Sequence, residues 1–244
     1  MNLIIDQGNT VCKVAVAAEG RLIQHYTYPH LSLREAGQVL SAHPGLEAAI
    51  YSSVARVDKP LLGLLSERLH TMVKVDETTA IPLEVAYDRK RLGSDRLAAV
   101  VGAYSLAPKG SDLLVIDSGT AITFERITQL GVYLGGNISP GLYTRLKALN
   151  HFTSRLPLLS DLEDTTLGFG VTTQEAISRG VLQGLIYEVE GYIKALRRTT
   201  PEAVVFLTGG DAQMIQELLS EEVCVEPDLV LYGLNKILEY NRDK

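Results

Sequence analysis

Residues 3–10 read Leu-Ile-Ile-Asp-Gln-Gly-Asn-Thr, and residues 114–121 read Leu-Val-Ile-Asp-Ser-Gly-Thr-Ala. Each is an apolar, mostly β-branched run ending in an aspartate, followed by one residue, a glycine and small polar residues. Such an apolar run reads as a buried strand, and the glycine after it as a turn. The two aspartates, Asp6 and Asp117, stand 111 residues apart in a chain of 244. One echo at nearly half the chain length predicts two similar domains and not a solenoid.

The flanking patterns repeat in the same order. In the first half, Leu3–Gln7, Val11–Ala18 and Arg21–Tyr28 read as three short strands, separated by Gly8-Asn9 and Glu19-Gly20. A helix follows from Ser32, where Ser32 and Glu35 have capping-box spacing. Then come a strand at Ala48–Val54, a helix from Asp58 to about His70 with Pro60 in its first turn, a strand near Met72–Val75 and a helical segment at Leu97–Leu106. In the second half, strands fit Leu113–Asp117, Ala121–Ile127 and Val132–Ile138. Helical segments follow, the longest from about Thr173 to Arg197, with Ile177, Val181, Leu185, Val189 and Ile193 on one face. A strand at Ala203–Leu207, a helix at Ala212–Leu219, a strand at Val223–Val225 and a last helix from Asp228 complete it. Three meander strands followed by alternating helix and strand predict, in each half, an α/β fold with a mixed sheet flanked by helices. The boundary is expected near Gly110.

Composition narrows the function classes. Apolar residues make up 46% and charged residues 21%, which is a globular balance. A net charge of −6 and a pI near 5.4 argue against unspecific binding to nucleic acid or to an anionic membrane. Two cysteines, Cys12 and Cys224, make no disulfide framework and read as buried thiols. No run reaches the ~18 apolar residues of a membrane span, and the first residues lack a signal-peptide pattern. The expectation is a soluble, cytoplasmic protein. Histidines at 25, 30, 43, 70 and 151 show no paired ligand spacing, so zinc is not expected. Neither the P-loop pattern nor a G-x-S-x-G elbow occurs.

Four segments carry candidate chemistry. In Asp6-Gln7-Gly8-Asn9-Thr10, with Lys13 beyond, the glycine turn brings backbone N–H groups toward an anion, and Lys13 can reach a phosphate. Asp6, at a strand end, suits Mg²⁺ beside phosphates. An ordinary hairpin turn gives the same local pattern, since Gly-Asn is a common hairpin pair. The echo at Asp117-Ser118-Gly119-Thr120 weighs toward the phosphate reading, because two acidic hairpins across a cleft would clamp a polyphosphate. In Gly93-Ser94-Asp95-Arg96 a carboxylate can take a proton from an attacking hydroxyl, and Arg96 can bind an acidic group. On spacing alone, a simple helix cap by Ser94 or Asp95 with Arg96 at the surface is the favoured reading. Gly135–Gly141 is dense in glycine, as befits either a close-approaching ligand or a plain turn. Leu207–Asp211 is a strand ending in glycines before a helix, where open α/β sheets bind ligands. The basic run Arg89-Lys90-Arg91 is either a solvated loop or an attractor for an anionic substrate.

In this order and spacing, Asp6–Lys13 (D-x-G-N-T-x-x-K), Gly93–Arg96 (G-x-D-R), Asp117–Ala121 (D-x-G-T-A), Gly135–Gly141 and Leu207–Asp211 resemble type III pantothenate kinase nearly end to end. That family belongs to the actin-like ATPase and sugar-kinase superfamily. The resemblance implies two ribonuclease H-like (actin-like ATPase) domains, each a mixed five-stranded sheet flanked by helices, with a cleft between them. Residues 1–110 would form the N-terminal domain with the phosphate loop and substrate segment. Residues 111–244 would form the C-terminal domain with the second hairpin, the adenosine segment and a dimer helix. The implied reaction moves the γ-phosphate of ATP to the primary hydroxyl of pantothenate, the first step of coenzyme A synthesis.

By the same resemblance Asp95 is the proton acceptor, and Gly93, Ser94, Asp95 and Arg96 bind pantothenate. Asp6, Gln7, Gly8, Asn9, Thr10, Val11, Cys12 and Lys13 form the ATP phosphate loop, with Asp6 near Mg²⁺ and Thr120 a further ATP contact. Asp117 is the ligand of a monovalent cation, K⁺ or NH₄⁺. Thr173 contacts pantothenate in the partner subunit's site of a homodimer. The family commonly has a tyrosine and then a proline shortly before G-x-D-R; Tyr87, the implied substrate contact, stands about one residue off, with Arg89 where the proline is expected. The family's asparagine before Thr173 is here Thr172. The rival reading is a nucleotide-binding transcription accessory protein of the same fold without turnover. Intact Asp6, Lys13, Asp95 and Asp117 weigh against it.

Overall fold

The computed structural model describes residues 1–53, 58–159, 162 and 165–242. By packing these fall into two units. One comprises Met1–Pro108, Gly131–Leu134 and Asp228–Lys244; the other comprises Lys109–Leu130 and Gly135–Pro227.

In the first unit, β1 (Asn2–Gln7), β2 (Cys12–Ala18) and β3 (Arg21–Tyr28) form an antiparallel meander. β4 (Ala48–Ser53) then lies parallel to β1, and β5 (Thr71–Lys74) parallel to β4, giving the order β3-β2-β1-β4-β5. Val54, the expected end of β4, lies outside the described residues. The crossovers are α1 (Leu33–Ala42) and α2 (Lys59–Arg68). Ser32 and Glu35 form the expected capping box on α1, and the Asp58 carboxylate accepts the Leu61 N–H at the start of α2. β1 is buried on both faces. Leu3 and Ile5 pack with Val14, Val39, Leu61 and Leu65, while Ile4 faces Ala15, Ile50, Leu97 and Leu234. That is why its sequence is an unbroken apolar run.

The second face is covered by α3 (Ser94–Leu106) and α7 (Leu229–Arg242). α3 begins three residues before the expected Leu97, so the Gly93–Arg96 segment is its N-cap and first turn. The two helices cross at glycines. A Cβ on Gly233 would stand 1.8 Å from the Ala98 carbonyl oxygen, and one on Gly102 would stand 2.2 Å from that of Leu229. A buried amide pair adds direction to the apolar contact: Asn2 Nδ2 donates to Asn235 Oδ1 at 2.8 Å. Arg242 donates to Asn2 Oδ1 at 2.9 Å.

The second unit repeats the plan. β7 (Leu113–Ser118), β8 (Ala121–Ile127), β9 (Val132–Pro140), β10 (Val204–Thr208) and β11 (Cys224–Val225) follow the order β11-β10-β7-β8-β9. α4 (Leu142–Phe152), α5 (Thr173–Arg197) and α6 (Ala212–Leu218) accompany them. The α5 stripe Ile177, Val181, Leu185, Val189 and Ile193 is buried against Ile116, Ile122 and Leu207. The sheet has six strands instead of five. The two-residue β6 (Glu84–Val85) adds itself in parallel to the opening residues of β9, pairing Glu84 with Val132 and Val85 with Tyr133. Two residues carry too little pattern to be read as a strand. Cys12 is buried as expected, whereas Cys224 is exposed on β11. No described helix is long and apolar enough to cross a membrane.

The glycine crossing predicts a steep steric cost. Gly233→Ala should overpack the α3–α7 contact by about 1–3 kcal/mol and lower Tm by roughly 5 °C. A thermal melt superimposing on the wild type would show that the helices separate without cost.

Candidate active site

Ladder register sets the first constellation. β1 and β2 pair Asp6 with Lys13 and Gln7 with Cys12, and Gly8 N–H donates to the Val11 carbonyl at 3.1 Å, closing the loop between them. Asn9, Thr10 and Val11 are exposed at its tip. The buried Gln7 side chain turns back, donating from Nε2 to the Gly8 carbonyl at 3.1 Å. Cys12 is different: its side chain is fully buried in the core, and burial pushes its thiol up to about 12. Only its main chain faces the loop, so it offers no nucleophile.

The parallel pairing of β1 with β4 places Ser52 beside Asp6. The Ser52 hydroxyl donates to Asp6 Oδ1 at 3.1 Å, and its oxygen is 2.9 Å from the Ser94 hydroxyl oxygen. A hydroxyl has one proton, so Ser94 donates in turn when Ser52 serves Asp6. This chain joins the end of β1 to the first turn of α3. Asp6 pays for its position in protonation: burial raises its carboxyl from 3.8 to about 6, the Ser52 hydrogen bond opposes this, the Asp95 charge adds to it and Lys13 opposes it.

In α3 no side chain caps the first turn from the Gly93 position. Asp95 Oδ1 accepts the Arg96 N–H at 2.8 Å, and a Cβ on Gly93 would stand 2.5 Å from that same oxygen. Glycine at 93 is therefore what leaves the Asp95 carboxylate room. Arg96 is no surface residue, being only 7% exposed. Its Nη2 donates to the Tyr133 hydroxyl at 3.2 Å, and its guanidinium lies 5.3 Å from the centre of the Tyr87 ring. The basic run has local partners: Arg89 Nη2 donates to the Thr79 carbonyl at 2.7 Å, and Arg91 pairs with Asp88 at 3.7 Å.

The second unit builds its own hairpin. Asp117 pairs with Thr123 on β8 and with Thr208 on β10, and Gly119 N–H donates to the Ala121 carbonyl at 2.9 Å. Thr120 is exposed at the tip; its carbonyl accepts from Gly141 N–H at 3.1 Å and from the Thr144 hydroxyl at 2.6 Å. The close approaches at Gly136 and Gly141 are met by protein itself, Glu125 and Phe124 for one and the Gly119 carbonyl for the other. In the Leu207–Asp211 segment, Gly209 has φ +95° and a Cβ there would stand 2.6 Å from Asp117 Oδ1. Asp211 accepts from the Ser118 hydroxyl at 3.1 Å, and burial raises its carboxyl. Thr173 is exposed in the first turn of α5, where Thr172 caps by accepting the Glu175 N–H at 3.2 Å.

The profile of type III pantothenate kinases matches residues 2–195. The chain belongs to the type III pantothenate kinase family. A Porphyromonas gingivalis protein named Type III pantothenate kinase is 46% identical over 245 aligned residues, covering 98% of both chains. A Bacteroides fragilis protein of the same name is 42% identical over the full length of both. Among solved structures, a Campylobacter jejuni protein provisionally described as a Baf family transcriptional activator superposes with TM-score 0.65. It shares 23% identity and covers 99% of this chain and 100% of its own, a likeness of fold alone.

Two residues that touch the candidate site escape a reading of motifs. Ser52 had a signal, for it lies near the end of a strand, where ligands gather in open α/β sheets. Tyr133 had none, because its contact with Arg96 joins segments far apart in sequence.

Asp6 carries a pH signature. Between its ordinary 3.8 and about 6, the folded protein keeps a proton that the unfolded chain releases. Its stabilising contribution is therefore complete below the lower value and lost as pH rises through the upper one. Without nucleotide or metal, Asp6→Asn should raise Tm clearly more at about pH 8 than near pH 4.5. A difference that is the same at both pH values contradicts the burial account.

Proposed function

We propose that the protein transfers the γ-phosphate of ATP to the primary hydroxyl of pantothenate, forming 4'-phosphopantothenate in the first step of coenzyme A synthesis. The observation that carries this reading is the family match over residues 2–195, a span containing every residue given a role below. Phosphoryl transfer depends on alignment and charge neutralisation more than on covalent help.

Asp95 holds the attacking hydroxyl and accepts its proton. Gly93 and Ser94 line the same segment, and Arg96 binds an acceptor oxygen of pantothenate, with Tyr87 beside it. The Asp6–Lys13 loop binds the ATP phosphates through its backbone donors, Asn9, Thr10 and the Lys13 ammonium; Cys12 takes part through its main chain alone. Thr120 adds a contact from the second hairpin.

Two cations belong to this reading. Mg²⁺, held by Asp6 beside the loop, would supply positive charge to the nucleotide phosphates. Asp6, paired with Lys13 at the start of the loop, is the carboxylate that would hold it. Asp117 would hold a monovalent cation, K⁺ or NH₄⁺, which would supply further positive charge to the anionic nucleotide.

The protein works as a homodimer in which Thr173 serves the partner subunit's substrate. Support comes from Phe169 and Val171, 94% and 89% exposed just ahead of α5, an apolar pair suited to burial against a second copy. Light scattering reads this directly, and a monomer would remove the shared site.

ADP release that depends on pantothenate, in a coupled assay with ATP, Mg²⁺ and K⁺, tests the function. No release, or release only with another alcohol, ends the reading. Exchanging K⁺ for Na⁺ should slow the reaction, and equal rates would remove the cation role of Asp117. Asp95→Asn should lower kcat by more than about 10²-fold, the low end for a positioned base. Near-normal turnover would take proton acceptance away from Asp95.

A further inference from the structure

Tyr133 is a fully buried tyrosine whose hydroxyl accepts from the Arg96 guanidinium at 3.2 Å. It stands outside every motif that marks the site. We propose that Tyr133 is a positioning residue for substrate binding: its hydroxyl and the face of Tyr87 fix the plane of the Arg96 guanidinium, and so the direction in which that fork meets pantothenate. This rests on the pantothenate kinase reading.

The seat is assembled from three separate parts of the chain. Arg96 comes from the first turn of α3. Tyr133 comes from β9, paired there with Val85 of β6. Tyr87 follows β6 by two residues, and its ring centre lies 6.1 Å from that of Tyr133, with the rings tilted by 37°. The same guanidinium is 5.3 Å from the Tyr87 ring centre, within cation–π range. The β6–β9 ladder, closed by Glu84 N–H to the Gly131 carbonyl at 3.1 Å and Ala86 N–H to the Tyr133 carbonyl at 3.0 Å, holds the two tyrosine segments side by side.

An arginine on a solvated surface samples many rotamers, and binding must first freeze them. Arg96 is already buried and oriented. A planar fork recognises an oxygen acceptor only when its N–H vectors point the right way. The Tyr133 hydroxyl sets rotation within the guanidinium plane, which a ring face alone cannot do. Phenylalanine would fill the same apolar space, so the hydroxyl is the separable part.

Tyr133→Phe removes that hydroxyl and keeps the ring. KM for pantothenate should rise about tenfold, the scale of a lost hydrogen bond to a charged group. kcat and KM for ATP should stay within about twofold, because the ATP loop and Asp95 are untouched. An unchanged pantothenate KM, or equal rises for both substrates, overturns the proposal. A wild type that does not phosphorylate pantothenate would end the kinase reading by itself, and Tyr133 is then judged on ¹⁵N NMR of the Arg96 guanidinium, assigned with Arg96→Lys. Separate, slowly exchanging Nη signals in the wild type that average in Tyr133→Phe support the positioning role, whereas identical spectra in both proteins overturn it.

Discussion

The site depends on a carboxylate that burial makes reluctant to ionise. Asp6 ends a strand apolar on both faces, where its charge is costly and its carboxyl is raised to about 6. What keeps it usable is local: the Ser52 hydroxyl from the parallel neighbour and the Lys13 ammonium from the antiparallel one. The Ser52–Ser94 contact then ties the strand end to the helix that carries Asp95 and Arg96. Three sequence-distant segments meet because a sheet of this order brings parallel strand ends together.

The two units solve one problem with different residues. Asp6 and Asp117 are each the fifth residue of a six-residue strand with the same pattern of burial. Their parallel neighbours offer a buried hydroxyl in both cases, Ser52 in one and Thr208 in the other. The antiparallel neighbours differ, Lys13 against Thr123. The turns differ too, with residues 8–11 between the first pair of strands and only residues 119–120 between the second. The first hairpin therefore presents more backbone donors and a cation. The second keeps a tight turn, with Gly209 packed at its base and Gly141 against its tip.

Local pattern made much of this legible. The apolar runs ending in Asp-x-Gly marked the central strands, and the α5 stripe marked a helix, because burial on one or two faces leaves a period in the sequence. The Gly93–Arg96 segment was visible as a motif, yet its place in the first turn of α3 was not. Gly93 can begin a helix or end a loop, and only Asp95 packing against it decides. Ser52, Tyr133 and β6 were less legible because their roles arise from pairing between strands. Gly135–Gly141 was legible as a crowded place, but what crowds it is chain and not ligand. The role of the last helix was hidden for the same reason: it was legible as a helix from Asp228, and nothing local said against which sheet it packs.

That last helix gives the protein an awkward birth. The first unit's sheet and α3 leave the ribosome early, but α7 follows only after the whole second unit has been made. Until then Ile4, Ile50 and Leu97 lack their covering from Leu234 and Leu238. Asn2 likewise waits for Asn235. At about 5–20 residues per second, the wait lasts several seconds, during which the half-walled unit exposes apolar surface to the cell. The order of translation and the order of closure run in opposite directions, so a nascent chain stalled before residue 229 is a ready client for holding chaperones.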